Sequence, residues 1–470
     1  MELSRRQWLG GAAVALATAP QFKVLAAPKP IVVTPEKFGA VGDGVTNDTA
    51  AFVKMAEFVA HHGGAQIVLR PTTYIVGRQS NSGTFNAYTY AFAPQPILTL
   101  DGCTGAIIIQ GNGAKLRCAD GLRFGTFDPV TAQPTSHQLP YTQWGEQAAP
   151  YDAMIKIQNC TGDVYIDNLE LDGNVAGLKV GGPYGDTGWQ LPGDGIQLLN
   201  NHGDEQISRV YSHHHARDGV YLQALPGRAT STALKEVTSE YNTRQGCSLV
   251  AGSNFSFENC RFNHTGRAGL MSAPAAGVDL EAESGSIRTI KFSDCEFSNN
   301  VGVGLLADSG DTEDVTFDQC RFIGTTAWSA WPKKPAFRFR NCQFVGSVVH
   351  PFTDPDPERA TKFSNCSFVD DPSLSPTGQV YSPGEAIVNM AESYNVLFDG
   401  CQFDLKFASL LPWSWHAQYN NCTMSQAAST SSHPAGTYTG VCTINGNVDL
   451  YGIVVAGDVT INGQLMPRTA

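Results

Sequence analysis

The chain is short of charge. Lysine, arginine, aspartate and glutamate make up 16% of its 470 residues, against roughly 25% in an average soluble domain. It also lacks a positive balance. The net charge of −12 repels nucleic acid and anionic membrane surfaces and excludes both as bulk partners, although a local basic strip can still bind an anion. Past the N-terminal segment no apolar run is long enough to span a bilayer. No two of the twelve cysteines stand as C-x-x-C, the spacing that most zinc-binding cysteine clusters need.

What is abundant is a repeat. "FENCRF" from Phe257, "FSDCEF" from Phe292, "FDQCRF" from Phe317, "FRNCQF" from Phe339, "FSNCSF" from Phe363 and "FDGCQF" from Phe398 share one pattern, and "YNNCTM" from Tyr419 is a worn copy. Phenylalanine, cysteine and phenylalanine do not simply alternate, so each copy reads as a strand entering a turn. A small and a flat side chain returning once per coil suit a parallel stack. There each residue lies about 4.8 Å above its predecessor. The pattern predicts an all-β chain, a single right-handed parallel β-helix.

"FGAVGDGVTNDTAAFVKMAEFVAHHGG", Phe38 to Gly64, supplies the end of that stack. A glycine-rich turn leads to Asp48 as N-cap, then Phe52, Val53, Ala56, Phe58 and Val59 recur at helical spacing. A helix there caps the open end, a cap of about residues 36–64. "FGAVGDGVTNDTAAF" resembles the opening motif of the pectate-lyase-like β-helix superfamily, which includes polygalacturonases, rhamnogalacturonases and phage tailspikes. The resemblance implies a groove along one sheet that binds, and usually cleaves, a long polysaccharide.

At the N-terminus "SRRQWLGGAAVALATA" joins Arg5 and Arg6 to an apolar run too short for a membrane span. With Gln7, Trp8 and Leu9 following, it resembles a twin-arginine signal with Trp8 where phenylalanine is usual. Small residues at Ala26 and Ala27 offer cleavage. The resemblance implies a signal peptide at 1–27, a β-helix domain at 28–470, and a periplasmic or extracellular location. That route carries proteins already folded in a reducing compartment, so the cysteines are expected to be mostly free thiols.

A second ladder runs between the cysteine copies: "GIQL" from Gly195, "GVYL" from Gly219, "GCSL" from Gly246, "GVDL" from Gly277 and "GVGL" from Gly302. Alternation turns Ile196, Leu198, Val220, Leu222, Cys247, Leu249, Val278, Leu280, Val303 and Leu305 inward. Gln197, Tyr221, Ser248, Asp279 and Gly304 then face outward, with Gln223 and Glu281 two places on. Asp194, Arg217 with Asp218, and Arg244 with Gln245 stand where the chain enters these strands. "SHHHARDGVYL" from Ser212 is therefore one rung of a polar face. In an extended segment His213 and His215 point one way and His214 the other, so the three cannot share one metal.

Polygalacturonase-type hydrolases carry rungs resembling N-T-D-G, D-D and G-H-G, followed by R-I-K. Here "PGDG" at 192–195 and "RDG" at 217–219 match with Asp194 and Asp218. Arg217 replaces the first aspartate of the pair, Gln245 replaces the histidine, and R-I-K is not evident. Arg217 and Arg244 on adjacent rungs, with Arg267 and His264 in a nearby loop, are expected to form a basic strip for carboxylate or sulfate groups. The expected catalytic set is Asp194, Asp218, Arg217, Asp279, Glu281 and His214. Arg244, Arg267, His264, Tyr221, Gln197, Gln245 and Trp189 are expected to hold substrate, with Ca²⁺ as an optional ligand of Asp279 and Glu281. Loop aromatics Tyr141, Trp144, Tyr184 and Trp189 offer faces for sugar stacking, and Trp328, Trp331, Trp413 and Trp415 offer cover for the far end of the core. The expected function is cleavage of an anionic, uronate-containing glycan. β-Elimination stands first, hydrolysis by paired carboxylates second, and a non-catalytic glycan-binding β-helix third.

Overall fold

A computed structural model describes residues 31–137, 145–182, 191–390 and 394–469. The segment 1–27 expected to be a signal peptide and the loop aromatics Tyr141, Trp144, Tyr184 and Trp189 lie outside the described residues. No helix among the described residues is long and apolar enough to cross a membrane.

Each coil contributes up to three short strands, and each strand pairs in parallel with its counterpart in the next coil. The first sheet stacks Ala153–Gln158, Asp194–Leu199, Asp218–Gln223, the start of Gln245–Glu258, and Ala276–Leu280. The second stacks segments such as Phe337–Arg340 on Lys362–Ser364, and the third Gln343–Val345 on Ser367–Val369. The result is a right-handed parallel β-helix closed at its N-terminal end by the helix Thr49–His61. That helix buries Ala51, Phe52, Met55, Ala56 and Val59. Asp48 stands at its N-cap position but does not cap it. The carboxylate instead accepts Val41 N at 2.7 Å and Gly42 N at 3.1 Å, tying down the glycine turn.

The cysteine repeat is a corner between two strands. The residue before the cysteine is left-handed in every copy from Asn259 to Asn421, with φ between 52° and 62°. Asparagine, aspartate and glycine tolerate that conformation best. One such residue turns the chain sharply enough that both phenylalanines point inward from neighbouring sheets. The first phenylalanines stack coil on coil, 4.7 Å from Phe292 to Phe317 and 4.8 Å from Phe317 to Phe339. The second set does the same, 4.9 Å from Phe322 to Phe344.

All twelve cysteines are buried and unpaired. Each repeat thiol donates to nearby carbonyl oxygens, as Cys342 does to Arg340 O at 3.2 Å and Phe317 O at 3.6 Å. Burial pushes Cys320, Cys342 and Cys366 well above the ordinary thiol range. Thiol reagents are therefore expected to leave Cys260 through Cys422 unlabelled in the native protein and to modify them on unfolding. Mass spectrometry of labelled native protein checks this, and rapid labelling of several of them would exclude an interior ladder.

The glycine ladder also has a steric cause. A Cβ on Gly246 would stand 2.5 Å from Gly277 O, and one on Gly277 2.6 Å from Gly304 O. The inward positions of this ladder lie in the main core, with one exception. Val278 pairs with Leu305 and Asp279 with Leu306, so Leu306 rather than Gly304 occupies the next outward position. The turn consumes two more residues than the repeat suggests, and the strand begins only at Leu305. Val303 consequently packs outside the main core with Ala276 and Leu306, beside Trp328 and Trp331. Trp413 and Trp415 are exposed and do not cover the core.

Candidate functional site

The outward row of the first sheet runs Lys156, Gln197, Tyr221, Ser248, Asp279 and Leu306, each paired with the next. Beside its N-terminal part stands an antiparallel hairpin, Gln79–Phe85 with Tyr88–Pro94. Between sheet and hairpin lies a cleft of about 440 Å³ lined by Tyr88, Tyr90, Asp152, Lys156, Gln197, Arg217 and Tyr221, among others. The Arg217 guanidinium lies over the Tyr221 ring, 5.1 Å from its centroid. Lys156 donates to Asp152 at 2.9 Å. Burial raises Tyr90 and Tyr221 to about 12, so both phenols stay protonated at neutral pH.

Beneath the cleft floor is a ladder of alternating charge. Asp194 accepts Arg217 Nε at 2.7 Å, Gln197 Nε2 at 2.7 Å and Asp218 N at 3.1 Å, and a second bond from Arg217 Nη2. Arg244 lies 3.5 Å from Asp218 and holds both oxygens of Glu281, at 3.1 and 3.2 Å. The expected basic strip is thus internally neutralised. Arg217 and Arg244 do sit on adjacent rungs, yet each is bound to carboxylates of the same face. Only Arg217 lines the cleft.

Three of the four expected catalytic carboxylates are sealed, and the fourth, Glu281, is part-exposed and bound by Arg244. Asp194 and Asp218 are 0% exposed and Asp279 1%. Asp218 Oδ1 and Asp279 Oδ1 have no hydrogen-bond partner among the described residues. A chain of contacts links these two acids. Ser248 Oγ bonds Asp218 Oδ2 at 2.8 Å and also meets Gln245 Oε1, while Gln245 Nε2 reaches Asp279 Oδ2 at 2.5 Å. Three contacts need three protons. The serine hydroxyl supplies one and the amide, whose NH₂ faces only one neighbour, supplies another. A protonated carboxyl would supply the third.

Burial accordingly pushes Asp218 up to about 6 against the pull of Arg244, and holds Asp279 well above the ordinary carboxylate range. An acid whose folded pKa is raised stabilises the fold most when protonated. For Asp218 that contribution is complete below 3.8 and is lost as the pH rises through about 6. Urea midpoints measured between about pH 4 and pH 7 should therefore fall less in Asp218→Asn than in the parent. Equal slopes would place the proton elsewhere.

Calcium does not fit the pair expected to hold it. Both Glu281 oxygens are taken by Arg244, and Gln245 donates to Asp279. The donor set suits a guanidinium rather than a hard cation.

Other expected residues lie elsewhere. His214, Tyr241 and His264 are left-handed corner residues, with φ of 55°, 57° and 56°. Their rings stack outside the cleft at 5.1 and 4.8 Å. Arg267 is bound to Asn299 O at 3.1 Å and Thr325 Oγ1 at 3.0 Å. The left-handed turn also overrides simple alternation. It brings the His214 ring beside His213, while His215 goes inside against Tyr151 at 2.9 Å, where burial lowers it to about 3.

Sequence reasoning passed over Lys156, Asp152, Tyr88 and Tyr90. Lys156 was within reach, since its segment "MIKIQ" alternates like the later rungs, but it lacks their glycine. The hairpin tyrosines carry no repeat signature at all.

A family model described as "Right handed beta helix region" matches residues 155–322. No curated protein matches. Among solved structures, the A-module of mannuronan C-5 epimerase AlgE4 from Azotobacter vinelandii is 15% identical with a TM-score of 0.44, covering 93% of this chain and 99% of that one. The tailspike protein gp49 of Acinetobacter baumannii bacteriophage Fri1, a capsular polysaccharide depolymerase, is 13% identical with a TM-score of 0.45, over 89% of this chain and 63% of that one. The N-terminal fragment of bacteriophage phi29 gene product 12 is 13% identical with a TM-score of 0.49, over 92% and 73%. Reaction and substrate are left to the site itself.

Proposed function

We propose that the protein is an exported enzyme that holds an anionic, uronate-containing glycan in the cleft beside the first sheet and cleaves it by β-elimination. The observation that carries this reading is the lining of the cleft. Two cations, Arg217 and Lys156, stand among three tyrosine rings, with Asp152 as the one carboxylate among the described lining residues. A uronate carboxylate that draws Lys156 away from Asp152, beside Arg217, is neutralised, which acidifies the proton at carbon five and frees Asp152. Asp152 takes that proton. The C–H electron pair forms the C4–C5 double bond, and the C4–O bond breaks with its electrons leaving on the glycosidic oxygen.

Hydrolysis by paired carboxylates needs two accessible acids flanking the bond. One lines the cleft, Asp194, Asp218 and Asp279 are buried, and Glu281 is held by Arg244. That burial favours, as the second reading, a protein that binds the glycan without cutting it.

Incubation with polygalacturonate, alginate and a neutral glucan separates the readings. Elimination gives products that absorb in the near ultraviolet, and Asp152→Asn is expected to slow their formation on the order of a hundredfold or more. New reducing ends without absorbance would establish hydrolysis instead, and saturable binding with neither would establish the binder.

A further inference from the structure

The corner between the third sheet and the first carries a second cluster that the cleft does not use. Asp172 ends the strand Val164–Asp172, and His213 ends Glu205–His213 directly beside it in the next coil. The left-handed turn at His214 sets its Nδ1 2.7 Å from His213 Nδ1. Asp172 Oδ1 lies 3.9 Å from His213 Nδ1, and one donor atom from each of the three residues lies within 4.8 Å of the others.

Hydrogen bonding assigns the ring protons: His214 Nδ1 donates to His213 Nδ1 at 2.7 Å, and a metal that takes both atoms moves the His214 proton to Nε2. His213 Nε2 meets the Glu170 carboxylate at 3.1 Å. A carboxylate only accepts, so the proton of a neutral His213 is on Nε2 and its Nδ1 presents a lone pair to His214. A carboxylate behind an imidazole in this way is the usual outer partner of a metal-bound histidine. Lys115 takes Asp172 Oδ2 at 2.9 Å, which leaves Oδ1, with one bond from Asn174 N at 2.9 Å, toward the histidines. Arg117 Nε is 3.7 Å from the same Oδ2. Both rings are clamped, His213 by Tyr211 at 4.1 Å and His214 by Tyr241 at 5.1 Å.

We propose that Asp172 Oδ1, His213 Nδ1 and His214 Nδ1 form a binding site for one divalent transition ion of zinc's class. Two imidazoles and one carboxylate select such ions over calcium or magnesium, which prefer all-oxygen sets. Tetrahedral bonds of about 2.05 Å place two nitrogens roughly 3.3 Å apart, so binding spreads the rings by about half an ångström. The three ligands leave a fourth position for water and lash two successive coils together at their corner.

Cobalt(II) added to the tag-free protein tests this. One equivalent is expected to bind with the visible absorption of a four- or five-coordinate nitrogen–oxygen site, to be displaced by zinc and to resist calcium. His214→Ala and Asp172→Asn should each weaken binding on the order of tenfold or more, and His433→Ala, at an exposed histidine paired with Asp449 away from the cluster, should leave it unchanged. Crystals of the unaltered protein soaked in zinc should show one anomalous peak between these three side chains, which needs no variant to fold. No saturable cobalt spectrum, a spectrum that survives in both site variants, or a zinc peak elsewhere would overturn the assignment.

Discussion

Replacing Phe317 by alanine should lower the unfolding free energy by about 3–5 kcal/mol, the usual cost of emptying a large aromatic site in a packed core. Phe317 is fully buried, stacked between Phe292 at 4.7 Å and Phe339 at 4.8 Å, and meets Phe322 edge-on at 5.4 Å. The coils above and below are held by their own strand pairing, so they cannot collapse into the gap. Leucine at the same position should recover part of the loss by refilling volume without the ring contacts. Urea unfolding of the two variants checks this. A cost under about 1 kcal/mol for alanine would mean that the stack is not rigid.

Arg217→Ala should cost a similar amount for a different reason. Asp194 is 0% exposed, and Arg217 supplies its only cationic partner among the described residues. Without the guanidinium the carboxylate keeps bonds from Gln197 and Asp218 N but stays buried and uncompensated, a penalty of about 3–5 kcal/mol. Loss of glycan binding in this variant therefore mixes two effects. Adding Asp194→Asn removes the stranded charge and should restore at least half of the stability while leaving the cleft short of a cation. Affinity for an anionic glycan that stays low in the restabilised double variant would assign Arg217 a direct role. Stability that does not recover would mean that the cost lies in packing around Arg217, not in charge.

Much of the scaffold was legible because its interior repeats. A phenylalanine ladder needs the same residue at the same place in each coil, and the left-handed corner favours asparagine, aspartate or glycine before the cysteine, a preference that six of the seven copies follow and Gln319 breaks. Periodic physical demands leave periodic letters. The glycine ladder was read in the same way, and it failed by two residues at Gly302, where the turn into the strand is longer than its predecessors. The candidate site was less legible. Asp152 and Lys156 come from a coil without the glycine signature, and Tyr88 and Tyr90 from an antiparallel hairpin that repeats nothing.

By itself the sequence determined the coil, the direction in which its ladders face and the sheet that carries the polar rungs. Each of these follows from local periodicity and from side-chain size. Only the tertiary structure decided which charges meet. Asp194, Asp218 and Asp279 look alike in the sequence as acids on or beside outward strand positions, yet neighbouring rungs bury them under Arg217, Arg244 and Gln245, partners from 23 to 34 residues away. Burial and pairing depend on what the adjacent coil and the hairpin place above a residue, and no local pattern encodes that.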